Sequence, residues 1–129
     1  MKRLSRMRGD SLIEVMIALS LTAVTALGLV AVQSALARGE RMALLRERAT
    51  LIADSVAESI RSEADRTMVI AQWQARAASM LPDGDLAVLN RDDNVRVAVV
   101  SWRADEHAES CPEPQAGSTK ACIAVAFAR

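Results

Sequence analysis

Aromatic residues and net charge are both scarce in this chain. Its 129 residues include no tyrosine, one phenylalanine and two tryptophans, so a soluble core has to be small and aliphatic. The 16 basic and 16 acidic side chains balance, and four of the cations precede Asp10: Lys2, Arg3, Arg6 and Arg8. The chain that follows them has an acidic excess, which argues against nucleic-acid binding because that function needs a basic face.

Residues that could serve catalysis or bind a metal are equally few. The single histidine, His107, is four residues before Cys111, and no further histidine or cysteine completes a zinc pattern. Four aspartates lack the spacing of a calcium loop and fit turns instead: Asp83, Asp85, Asp92 and Asp93. A glycine-rich phosphate loop and a serine nucleophile motif are also missing. The sequence therefore predicts no enzyme activity, no cofactor and no metal.

The longest uncharged run covers residues 15–37 and reads VMIALSLTAVTALGLVAVQSALA. A helix of about 20 apolar residues crosses the hydrocarbon core of a bilayer, so this run is long enough. A buried core helix is disfavoured, because the remaining chain has too few large side chains to enclose it. Two alternatives stay open. Ala35 and Ala37 could mark a signal-peptide cleavage site, or the run could be a plain signal anchor with its basic flank in the cytoplasm.

Those two alternatives leave Glu14 and Gly9 without a role. Glu14 stands immediately before the uncharged run, where the positive end of a helix dipole makes an acid tolerable. An acid in that place becomes useful if a nearby amino terminus, on a neighbouring subunit, can neutralise it within an apolar bundle.

A basic leader that ends in glycine, followed by SLIEVMIAL, resembles the N-terminus of the type IV prepilin family. The resemblance implies that a membrane-bound prepilin peptidase cuts between Gly9 and Asp10 and methylates the new amino terminus of Asp10. It also implies that Glu14, the fifth residue of the mature chain, pairs with the amino terminus of a neighbouring subunit. The best-matching part covers roughly residues 6–35.

Two departures from the family pattern favour a minor pilin, similar to the PilV type, over a main filament subunit. Asp10 stands where the family usually has a bulky apolar residue, and no proline precedes Pro82, whereas major pilins have one in the apolar helix. The resemblance implies insertion into the bacterial inner membrane with a cytoplasmic N-terminus, followed by assembly into an extracellular pilus. The implied partners are the prepilin peptidase, other major and minor pilins and the inner-membrane pilus assembly platform. A minor pseudopilin of a type II secretion system and a signal-anchored periplasmic domain outside any filament remain alternatives.

The domain division expected from these features is a leader at 1–9, a membrane-spanning half of a helix at 10–37 and a periplasmic head domain at 38–129. Apolar residues recur at helical spacing beyond the uncharged run, which predicts one helix from about Ser11 to about Ser62. The stripe comprises Met42, Leu45, Ala49, Ile52, Val56 and Ile60. The segment RTMVIAQWQARAASML, residues 66–81, predicts a second helix or an extension of the first, with Trp73 in the core.

Pro82, Asp83 and Gly84 form a turn signal that ends the helical part. The segments DLAVLN, NVRVAVVSW and ACIAVAFAR predict three strands, the first two joined by a hairpin loop at residues 91–93. The polar loop between the second and third strands is expected at the surface. Cys111 and Cys122 bracket most of that loop. They are expected to form a disulfide if the domain is delivered outside the cytoplasm, and two free thiols are the alternative. The pilin resemblance also implies a C-terminal loop closed by a disulfide. The predicted fold is α+β, with the long N-terminal helix packed on a small antiparallel sheet.

Overall fold

The computed structural model describes residues 6–62, 65–91, 94–104, 108–114, 116–117 and 119–128, with the backbone alone for residues 6–10. The described chain forms two compact units that divide between Arg41 and Met42. The first unit is purely helical. The second contains the end of the same helix, a second helix and a three-stranded sheet.

Helix α1 runs from Arg6 to Ser62, so it begins before the predicted start near Ser11 and ends where predicted. In the second unit its buried side chains are Ala49, Ile52, Ala53, Val56, Ala57 and Ile60. The predicted apolar stripe is confirmed from Ala49 onward. It is wrong for Met42, which is 36% exposed because the head domain covers α1 only from about Leu45.

Helix α2 runs from Arg66 to Met80 and is a separate helix rather than an extension of α1. Asp65 caps it, since its side-chain oxygen accepts a hydrogen bond from the Met68 amide at 3.4 Å. The Leu81 amide donates to the Ala77 carbonyl at 3.0 Å where the helix ends. The chain then turns through residues 82–84, as the sequence predicts.

The sheet has the order β1-β2-β3 and is antiparallel throughout. Strand β1 is Asp85–Asn90, β2 is Val95–Arg103 and β3 is Lys120–Ala128. The predicted strands are confirmed to within one or two residues at their ends. Of the predicted hairpin loop between β1 and β2, Asp92 and Asp93 lie outside the described residues.

The core lies between one face of the sheet and the two helices. Leu86, Val56 and Val100 are its largest fully buried side chains. Trp102 is also buried, and the half-buried Trp73 packs against the cluster, so its predicted place at the core is confirmed. The α+β architecture expected from the sequence is therefore present, with the long N-terminal helix packed on a small antiparallel sheet in the layout of a type IV pilin.

The opposite face of the sheet is also buried at its centre, which the sequence did not predict. Val97, Val99 and Ser101 alternate with the core residues of β2, and each is at most 7% exposed. Glu113 and Ala116 from the loop after β2 help to line a small cavity on this face. These two residues of the loop therefore lie over part of this face.

Candidate functional site

The apolar part of α1 exposes every one of its large side chains within the first unit. The exposed fractions of the large apolar residues from Leu12 to Leu36 range between 52% and 72%. Among the described residues, this is the one helix that is long and apolar enough to cross a membrane, by its length and composition. An exposed apolar surface of this size is typical of a segment that is covered by a bilayer or by an apolar partner.

Hydroxyl side chains interrupt the apolar surface, but each is hydrogen-bonded to its own helix. Ser20 donates to the Met16 carbonyl at 2.8 Å, and Thr25 donates to the Leu21 carbonyl at 3.0 Å. Thr22 and Ser34 likewise bond to carbonyls three residues earlier. Because these groups need no water, they do not oppose transfer of the helix into an apolar environment.

Glu14 lies on one face of α1 with Ile17, Ala18 and Leu21, which follow it at helical spacing. Together with Ile13 these residues line a shallow, mostly apolar depression on the helix surface. The Glu14 side chain is exposed, and no described residue forms a hydrogen bond or ion pair with its carboxylate. If this face became buried, the carboxylate would need a positive partner from outside the described chain, because burial of an unpaired charge is costly.

The predicted cleavage position lies within α1. The backbones of Gly9 and Asp10 are helical, whereas the Asp10 side chain lies outside the part of the chain that the structure describes. The residues assigned to cleavage, methylation and assembly therefore lie within two turns of one helix. The spacing of Gly9, Asp10 and Glu14 along the chain follows directly from the sequence.

The predicted disulfide between Cys111 and Cys122 is present, with a Cα–Cα distance of 5.1 Å. It joins the loop to β3, and the Cys111 amide donates to the Lys120 carbonyl at 2.9 Å. A second attachment comes from Arg91, whose Nη2 lies 2.6 Å from Oε1 of Glu113. The sequence contained no signal for this ion pair, since its two residues are far apart along the chain.

The turn after α2 is held by side chains from two strands. Arg103 of β2 donates from Nε to the Asp83 carboxylate at 2.7 Å and also forms an ion pair with it through Nη2. Lys120 of β3 donates from Nζ to the Asp83 carbonyl at 3.2 Å. Asp83 has a φ of 48°, a left-handed conformation that aspartate tolerates in turns. These contacts agree with the turn role expected of Asp83.

Within the described ranges, no group of three or more histidine, cysteine, aspartate or glutamate side chains is placed to hold a metal ion. His107, considered in the sequence as a metal or catalytic residue, lies outside those ranges. The feature that stands out is thus the exposed apolar run of α1 with Glu14 at its start.

No family model matches the chain, and no curated protein or solved structure matches it either.

Proposed function

We propose that this chain is a minor subunit of a type IV pilus. In this proposal α1 is inserted into the inner membrane, the leader is removed after Gly9, and the subunit is assembled into the filament or primes its assembly. The partners are the prepilin peptidase, other pilins and the inner-membrane assembly platform. The role is structural, and the chain carries out no chemical reaction of its own.

The observation that supports this most directly is the exposed apolar surface of α1 together with an acid at its start. A plain membrane anchor needs the apolar surface but has no use for Glu14. A subunit that moves from a bilayer into a bundle of helices needs both. The apolar side chains stay out of water at each stage, and the carboxylate gives the bundle one polar contact to satisfy.

The proposed mechanism is association driven by apolar burial and directed by one ion pair. Removal of the leader after Gly9 creates a positively charged amine on Asp10. The amine of an adjacent subunit then lies against Glu14, and the pair fixes the axial position of one helix against the next. A carboxylate left buried and unpaired inside the apolar bundle is costly, so subunits in the wrong register are disfavoured.

The first experiment is intact-mass spectrometry of the full chain expressed with and without a prepilin peptidase. With the peptidase, we expect a mature chain that begins at Asp10 and carries one methyl group on its amine. A chain that still begins at Met1, or one cut after Ala37, would contradict the proposal. The second outcome would identify residues 1–37 as a signal peptide.

Glu14→Ala is the variant that tests the role of the acid. We expect cleavage after Gly9 to continue while the amount of the protein in sheared filaments falls several-fold, because the variant has no carboxylate to pair with the neighbouring amine. Glu40→Ala is the matched control, since Glu40 is an exposed glutamate on the same helix but beyond the uncharged run. Equal recovery of both variants in filaments would refute the assembly role of Glu14.

The same fractionation distinguishes a pilus from a secretion apparatus. Recovery of the mature protein in sheared surface pili supports the pilus proposal. A mature, methylated chain that stays with the envelope and is required for export of a secreted protein would instead identify a minor pseudopilin.

A further inference from the structure

Two leucines in the part of α1 that belongs to the second unit remain exposed. Leu44 is 45% exposed and Leu51 is 60% exposed. They are seven residues apart, about two helical turns, so they lie on nearly the same side of the helix. Ala49 and Ala53 lie about 160° around the helix from Leu51, and both are fully buried. The leucine ridge, our name for Leu44 and Leu51, therefore faces away from the core of its own head domain.

Side chains of opposite charge flank the leucine ridge on its two sides. Glu47 and Asp54 come four residues before and three residues after Leu51, so both lie about 50° to one side of it. Arg48 comes three residues before Leu51 and lies about 60° to the other side. The two acids are exposed and the arginine is half-buried. One side of the ridge is therefore acidic and the other side is basic.

These three charged side chains have no partner among the residues that the structure describes. None of the ion pairs or side-chain hydrogen bonds between described residues involves the side chain of Glu47, Arg48 or Asp54. Glu58, one turn beyond Asp54, differs from them because it already pairs with Arg61 at 3.1 Å. A partner that packs on the leucine ridge can therefore gain ion pairs without breaking any that these charges form in the described chain.

We propose that the leucine ridge packs against the leucine ridge of a second copy of this chain, with the two α1 helices running in the same direction. The two-fold axis of this dimer is parallel to the helices, so the contact is isologous. The acidic side of each helix then faces the basic side of the other. Glu47 of each copy lies opposite Arg48 of the other, displaced along the axis by one residue or about 1.5 Å. Four leucines and two symmetry-related ion pairs form the contact.

The order of the charges around the helix selects a second copy in this orientation. If one helix were reversed, the acidic side of one ridge would face the acidic side of the other, and like charges disfavour such a contact. In the parallel orientation the same sequence supplies both members of each ion pair. This orientation also lets the apolar runs of both chains enter one bilayer from the same side, as two chains anchored by that run require.

The contact is small, so it depends on confinement of both chains to one membrane. Four leucines bury much less surface than a stable interface between soluble proteins. Exposed ion pairs add little affinity and act mainly on orientation. Confinement to one bilayer raises the effective concentration of each chain for the other. We therefore expect the dimer in membranes and the monomer in excess detergent. The proposal requires a membrane anchor, but it holds whether or not the chain belongs to a pilus.

The contact is tested by disulfide trapping of the full-length chain in membranes under oxidising conditions. Leu44→Cys places two thiols opposite each other across the two-fold axis, where closely packed helices bring them within reach of a disulfide. We expect a covalent dimer on a non-reducing gel, with peptide mapping assigning the new bond to residue 44 in both copies. Thr50→Cys is the matched control, because Thr50 is exposed on the same helix but lies about 100° around it from Leu51. This control should stay monomeric.

The orientation is tested by exchanging charges in the Leu44→Cys chain. Glu47→Arg and Arg48→Glu, each expressed alone, should lower the yield of covalent dimer several-fold, because like charges then face each other on both sides of the ridge. The two variants are next co-expressed with different epitope tags. The mixed dimer should return to the yield of the Leu44→Cys chain, since two arginines on one helix then face two glutamates on the other. Misfolding of either variant cannot produce such a recovery.

Three outcomes would overturn the proposal. One is a Leu44→Cys chain that gives no more dimer than Thr50→Cys, or whose intermolecular bond maps to Cys111 or Cys122, because the latter indicates disulfide exchange. Another is a mixed dimer of the two charge variants that forms no better than either variant alone. The third is a stronger cross-link between co-expressed Leu44→Cys and Leu51→Cys chains than between two Leu44→Cys chains, which would show that the helices run in opposite directions.

Discussion

Gly84 occupies a position in which the head domain has no room for a side chain. A Cβ atom built there would overlap the Ala77 carbonyl oxygen and would lie 2.8 Å from the Cβ of Leu81. Both neighbours are held in place, because Ala77 is fully buried and its carbonyl accepts the hydrogen bond that ends α2. The close approach of the turn to the end of α2 therefore depends on the absence of a side chain.

Gly84→Ala is expected to destabilise the head domain by about 1–3 kcal/mol, since the backbone has to shift to accommodate the methyl group. Gly39→Ala is the matched control. Its Cβ would meet nothing within 4 Å, and alanine is favoured over glycine in a helix by roughly 1 kcal/mol. Urea unfolding followed by tryptophan fluorescence measures both effects. A Gly84→Ala chain as stable as the wild type would show that the turn moves freely.

At this scale the sequence revealed residue types but not their partners. It indicated a turn at Pro82, Asp83 and Gly84, because those residues are typical of turns. It gave no indication that Arg103 would bind Asp83 or that Gln74 would bond to Leu86. Arg96, at 4% exposure, likewise occupies a buried site in β2 that its charge did not suggest. Such contacts depend on how segments that are distant along the chain pack against each other, and local sequence patterns do not predict that packing.

The second half of α1 has two faces with very different environments. Ile52 is 2% exposed and belongs to the core, whereas its neighbour Leu51 is 60% exposed. The two side chains are of similar size and adjacent along the chain, so helix propensity and local sequence are nearly constant between them. Burial is the variable that separates them.

Ile52→Ala is expected to cost about 2–5 kcal/mol, because it removes buried methyl groups and leaves a cavity between α1 and the sheet. Leu51→Ala should change the free energy of unfolding by less than about 0.5 kcal/mol, as is usual for surface substitutions. The comparison uses urea unfolding of the two full-length variants. Similar losses in both would mean that the exposed face of α1 is covered by another molecule in solution.

The loop after β2 is attached to the sheet by one covalent bond and by an ion pair that is partly exposed. The Cys111–Cys122 bond closes a short loop with a sequence separation of 11. In the Arg91–Glu113 pair the arginine side chain is 55% exposed and the glutamate 15%. Water screens an ion pair of this kind, so the covalent bond should account for most of the attachment.

Replacing both cysteines, as Cys111→Ala with Cys122→Ala, is expected to destabilise the head domain by about 3 kcal/mol on the chain-entropy account of loop closure. Arg91→Ala, which removes only the ion pair, should cost less than about 1 kcal/mol. Thermal unfolding under non-reducing conditions gives both values. A larger loss for Arg91→Ala than for the double cysteine variant would contradict this ranking of the two attachments.

The elements were more predictable than the contacts between them. Helical spacing from Ala49 to Ile60 correctly predicted the face of α1 that is buried, and alternation in β2 and β3 predicted the strands. Helical spacing wrongly predicted that Met42 would be buried, because periodicity does not reveal where along α1 the head domain begins to cover the helix. It also did not predict that Val97 and Val99, on the second face of the sheet, would be buried.

For the whole molecule, the two units differ in how much of their apolar surface is exposed. The second unit buries a core that includes Val56, Leu86 and Val100. The first unit leaves residues such as Leu27 and Val30 at 72% and 64% exposure. The sequence already shows the uncharged run at residues 15–37, which is long enough to span a bilayer. The cleavage and filament experiments determine which function this exposed apolar surface serves.

A charge placed at the middle of the apolar run tests whether the first unit resides in a bilayer. Leu27→Arg is expected to oppose insertion by roughly 2.5–3.5 kcal/mol, the cost of an arginine at the centre of a membrane helix on insertion scales. The measured result should be a larger fraction of the protein released from membranes by alkaline extraction. Leu51→Arg is the matched control, because it introduces the same charge at an exposed leucine of the same helix within the second unit. If both variants were retained in membranes as firmly as the wild-type chain, the apolar run would not be the membrane-spanning segment. The proposed assembly, which requires that this run anchors the subunit, would then be contradicted.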